Sequence, residues 1–108
     1  MLEIKTARVA YVGGGESAAT GDPFARNLSQ GSVGIDVKLL QIVLRDTPGI
    51  YPEGKVTGYF GPLTYKAVMR FQELNRQKIL APIGLSSGTG FVGAATRGTL
   101  NQITSLGL

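Results

Sequence analysis

The chain has 108 residues with a net charge of +4, from 11 basic and 7 acidic side chains, and it lacks both cysteine and histidine. That length predicts one domain with a short arm, and a hydrophobic share of 43% supplies a compact core, although a small domain buries only part of its surface. Without Cys or His there is no disulfide framework, no thiolate metal site and no imidazole base, and the scattered basic residues argue against nucleic acid as a partner, leaving a mild attraction to anionic polymers.

In chain order, Met1-Leu2-Glu3-Ile4-Lys5-Thr6 lacks the apolar stretch of a secretory signal, so the chain either stays inside or is a processed form. No run approaches the ~18 apolar residues of a membrane-spanning helix. Leu2 and Ile4 alternate with polar neighbours, and Val9 and Tyr11 alternate on the opposite parity, which predicts two short extended pieces. Gly13-Gly14-Gly15 then reads as a hinge, because the Lys-Ser/Thr ending of a phosphate-binding loop is absent. Residues 1–27 are therefore expected to form an arm and residues 28–108 the domain.

A first helix is expected from about Asp36 to Arg45. Gly31-Ser32-Val33-Gly34 breaks structure before it, Asp36 is placed to cap it, and Val37, Leu40 and Leu44 share one face. After Thr47-Pro48-Gly49 comes a loop to Gly61, with a short extended piece around Val56 and Tyr59-Phe60. Pro62 suits the first position of a second helix, whose stripe of Thr64, Ala67, Val68, Phe71 and Leu74 runs to about Gln77. A Gly-rich loop follows, and a third helix is expected from about Ala94 to Thr104, with Gly98 in its middle costing ~1 kcal/mol relative to Ala. The expected core is Val37, Leu40, Leu44, Val56, Phe60, Ala67, Val68, Phe71, Val92 and Leu100.

Two segments repeat at an offset of 32 residues: Thr57, Gly58, Gly61 and Thr64 match Thr89, Gly90, Gly93 and Thr96. Tyr59/Phe91, Phe60/Val92 and Val68/Leu100 keep their apolar character. Such self-similarity predicts one loop-then-helix element used twice, with Gly61 and Gly93 in equivalent places at the starts of the second and third helices.

Candidate chemistry is sparse. Gly88-Thr89-Gly90-Phe91-Val92-Gly93 matches G-x-G-x-x-G, but no strand pattern precedes it and no acidic residue follows, so it reads as a turn before a helix. The seven carboxylates, Glu3, Glu16, Asp22, Asp36, Asp46, Glu53 and Glu73, form no local pair with acid/base spacing, and Glu73 is expected to pair with Arg70 or Arg76 on a solvated face. No catalytic residue, cofactor or metal is expected. Gln41 and Gln72, set beside the apolar stripes, are expected to bond nearby loop backbone, since buried amides need partners.

Leu28, Gly31, Gly34, Asp36, Val37, Leu40 and Gln41, followed by Gly54, Thr57, Gly58, Phe60, Gly61, Thr64, Ala67, Val68, Phe71 and Gln72, and closed by Gly90, Gly93, Thr96 and Leu100, resemble the peptidoglycan-binding domain of cell-wall enzymes. The resemblance runs from Leu28 to about Asn101. It implies a mainly α, compact three-helix domain that is not itself catalytic and that holds a hydrolase domain against the wall, at the cell wall, in the periplasm or outside the cell. Glycan sugar faces and peptide-stem carboxylates would be its partners, with Tyr51, Tyr59, Tyr65, Lys66, Arg70 and Arg97 as ligand-binding candidates. A similar fold forms the pro-segment of matrix metalloproteases, whose inhibitory cysteine is missing here. The alternative is a structural subunit that self-associates by docking the arm 1–27 on a neighbouring copy.

Overall fold

A computed structural model describes residues 22–106; the extended pieces expected between Leu2 and Tyr11, and the Gly13-Gly15 hinge, lie outside them. The described chain is mainly helical: α1 (Ile35–Asp46), α2 (Pro62–Leu74), a single-turn α3 (Arg76–Ile79), a 3-10 turn (Ala81–Ile83) and α4 (Ala94–Ser105). The three long helices are those expected from periodicity. The second ends at Leu74 rather than near Gln77. The Asn75 amide explains this, because its Nδ2 donates to the Phe71 carbonyl at 2.9 Å, and its own carbonyl then accepts from Lys78 and Ile79 to begin α3.

Helix α1 packs against α2 and α4, and α3 packs on α4. Val37, Leu40, Val43 and Leu44 of α1, Ala67, Val68 and Phe71 of α2, and Leu100 of α4 form one core with Phe60 and Val92 from the loops. Nine of the ten expected core positions are buried; Val56 is only half-buried. Phe24 and Leu28 also belong to this core, so packing reaches ahead of the expected domain start at residue 28. Their anchors are distant in sequence. Leu28 makes a two-bond antiparallel bridge with Val92, and Asn101 clamps Phe24 by donating to its carbonyl and accepting from its N–H. Ile79, at the end of α3, and Leu80 after it also belong to this core.

Two local expectations are corrected. Asp36 does not cap α1; Gly34 holds that position at φ 145°, a conformation that L side chains rarely adopt. Asp36 lies in the first helical turn and takes a two-pronged ion pair from Arg26, Nε to Oδ2 at 2.8 Å and Nη2 to Oδ1 at 3.0 Å, while Nη2 also reaches the Val33 carbonyl. The hydrogen bond and charge of Arg26 lower the Asp36 pKa below the usual carboxylate range. Glu73 bonds the backbone N–H of Gly88 at 2.9 Å instead of a neighbouring arginine. Its expected partner Arg70 donates to the Ile50 carbonyl across the fold.

Gly98 sits exposed in α4, and a Cβ there would meet no atom within 4 Å. Gly98→Ala is therefore expected to stabilise the fold by about 0.5–1 kcal/mol, through helix propensity and a less flexible unfolded chain. A urea titration comparing midpoints checks it; an unchanged or lowered midpoint would contradict the open space around this helix face.

Candidate functional site

The surface is organised by two buried glutamines. Gln41, near the middle of α1, turns its amide toward the Thr57–Tyr59 loop. Its Oε1 accepts from the backbone N–H groups of Thr57 and Gly58 at 2.8 and 2.9 Å, and its Nε2 donates to the Tyr59 carbonyl at 2.9 Å and the Thr64 hydroxyl at 3.1 Å. Gln72, on α2, does the same to the next loop: Oε1 accepts from Thr89 and Gly90 at 2.7 and 3.0 Å, and Nε2 donates to the Phe91 carbonyl at 2.7 Å and the Thr96 hydroxyl at 3.2 Å. One amide thus satisfies two donors and two acceptors, as a buried primary amide must. The role expected for both side chains, internal pairing with loop backbone, is the one found.

The loops share further detail. Thr57 and Thr89 each accept through the hydroxyl from the N–H two residues on, at 3.1 Å in both cases. Gly58 and Gly90 take φ of 84° and 78°, where a side chain would be strained. Gly61 and Gly93 both cap their helices in extended geometry. A Cβ on Gly61 would stand 3.1 Å from the Tyr59 ring, and one on Gly93 would stand 3.0 Å from the Phe91 ring. Each aromatic ring therefore folds back over the glycine that starts the next helix. This accounts for the G-x-G-x-x-G spacing without a nucleotide: a Cβ on Gly88 would overlap the backbone of Met69, one on Gly90 would enter the Tyr65 ring, and Gly93 makes room for Phe91.

Beside each latch lies a shallow groove. The first, about 150 Å³, is bounded by Tyr51, Lys55, Thr57, Tyr59 and Leu63. The second, about 380 Å³, is bounded by Ile79, Leu80, Ile83, Leu85, Phe91 and Ala95. Among the described residues, neither has a carboxylate in its lining, and Lys55 is the one charged residue lining the first. Tyr59 and Phe91 are 52% and 46% exposed, so about half of each residue stays open to solvent. Val33, bridged to Tyr59, is also exposed.

The six residues singled out from the sequence scatter. Tyr59 lines the first groove, and Lys66 is exposed on α2. Tyr65 is half-buried against Gly90. Tyr51 belongs to the core, 4% exposed with its hydroxyl donating to the Lys55 carbonyl, so its ring face is not available for stacking. Arg70 and Arg97 are engaged internally, on the Ile50 carbonyl and the Asn27 side chain. Sequence reading passed over Lys55 and Phe91. The alignment of Phe91 with Tyr59 at the repeat offset was the available signal for the second of these.

A family model described as a peptidoglycan binding domain matches residues 33–100, a span containing both latched loops, all of α1 and α2, and the first half of α4. No curated protein and no solved structure matches the chain.

Proposed function

Because the chain belongs to the peptidoglycan-binding domain family, we propose that it is a non-catalytic module that holds a partner domain or assembly against the cell wall. The observation that carries this reading is the family match running unbroken through both glutamine-latched loops. Supporting it is a half-exposed aromatic ring, Tyr59, beside Lys55, with Lys66 exposed on the adjoining helix. Tyrosine offers a flat apolar face to the C–H side of a sugar, and the lysines offer charge to stem-peptide carboxylates. Tethering raises the local substrate concentration of any catalytic domain joined to the module, without any new contact in an active site. Cell-wall association follows from the same reading, and among the described residues no helix is long and apolar enough to cross a membrane.

Shallow grooves of this kind give micromolar to millimolar affinity, about −8 to −4 kcal/mol. Co-sedimentation with purified sacculi tests the proposal. The wild-type chain is expected to pellet with the wall, Tyr59→Ala to pellet severalfold less, and the turbidity of the suspension to stay constant. Loss of turbidity would contradict the non-catalytic role. Failure to pellet, together with a concentration-dependent oligomer, would favour an assembly subunit instead.

A further inference from the structure

The two latches are alike in every principal hydrogen bond, yet only the first loop supplied candidates for wall contact. Phe91 stands where Tyr59 stands, folded over its own helix-starting glycine and nearly as exposed, and the groove beside it is the larger of the two. Internal packing accounts for the glutamines and glycines. It does not account for leaving a large aromatic ring half in water twice, at the same point of the same loop, above an apolar floor. A partner whose own chemistry repeats along its length is the kind that matches a repeated site.

We propose that the grooves at Tyr59 and Phe91 are paired sites that engage two sugar units of one wall glycan, each ring lying on a sugar face. This rests on the wall-binding reading above. The sugars of this polymer carry acetamido groups, whose methyls suit the apolar linings: Leu63 in the first groove, Ile83 and Leu85 in the second. The absence of carboxylates from both linings leaves room for the acidic stem peptides, and Lys55 assigns the stem-bearing unit to the first groove. Among the described residues the second groove has no charge in its lining, and it takes the unit by shape and apolar contact. Two weak contacts on one strand multiply, because the second binding event becomes intramolecular.

Calorimetric titration with soluble disaccharide-peptide fragments, released from sacculi by a muramidase, distinguishes one site from two. The wild-type chain is expected to take two fragments, Tyr59→Ala and Phe91→Ala one each, and the double variant none. On intact sacculi each single variant should lose at least about tenfold in apparent affinity. Rim variants that keep both rings, Lys55→Gln and Leu85→Ser, should weaken only their own site, and thermal melts of all variants establish that they are folded. One fragment per wild-type chain, with Phe91→Ala binding like wild type, would overturn the pairing and leave wall binding intact. A wild-type chain that ignores both fragments and sacculi would overturn the wall reading and the pairing with it.

Discussion

Replacing Phe71 with Ala is expected to cost about 3–5 kcal/mol, the range for removing a large aromatic side chain from a packed core. Phe71 is 1% exposed and lies on the face of α2 shared by Ala67 and Val68. The ring belongs to the core formed with the buried side chains of α1 and α4 and with Phe60 and Val92 from the two loops. The surrounding structure relaxes only partly into such a void, so a cavity term adds to the lost burial. A small domain holds only ~5–15 kcal/mol in total, so the variant should melt far below wild type, with a clear loss of cooperativity if the core fails altogether. Chemical denaturation measures the effect directly. A cost under ~1 kcal/mol would mean that the neighbours collapse freely into the space.

Gln72→Met is expected to cost about 2–4 kcal/mol despite nearly preserving volume. Methionine fills the same space and offers no comparable donor or acceptor. It would strand the N–H of buried Gly90 and weaken the anchoring of Thr89 and the Phe91 carbonyl; each unmet buried polar group costs about 1–3 kcal/mol. Gln41→Met should cost a similar amount, since it breaks the same bonds in the other loop. Thermal melts of the two variants check both statements. A neutral effect at either position would show that water replaces the amide there and that the latch does not set the loop.

What could be read from the sequence was local. Period 3.6 in α1 and α2, Pro62 at a helix start, and the apolar loop anchors Phe60 and Val92 needed only neighbouring residues to recognise. What was missed depends on contacts between distant segments. Phe24 and Leu28 become core through Asn101 and Val92, far along the chain, and no periodicity announces them. Tyr51 reads as an exposed loop aromatic until its hydroxyl meets the Lys55 carbonyl in a tight turn and the ring is drawn inward. Asp36 looked like a cap, and a distant arginine recruits it instead. The glutamines were legible as internally bonded residues, but not as matching latches, because a matched set of bonds is a property of two loops in space. Of the candidate contact surface, Tyr59 and Lys66 were within reach of the sequence, and Phe91 carried a signal in its alignment with Tyr59, whereas Lys55 needed the groove.

Amide chemical-shift mapping of the isotope-labelled chain, titrated with soluble wall fragments, tests the central claim most directly, because it reports every backbone position at once. The prediction is that shifts concentrate at Lys55 to Leu63 and at Leu85 to Ala95, with Gln41 and Gln72 side-chain amides moving alongside them as their loops respond. Shifts confined to surfaces remote from both latches, such as the end of α4, or no shifts at millimolar fragment, would contradict it.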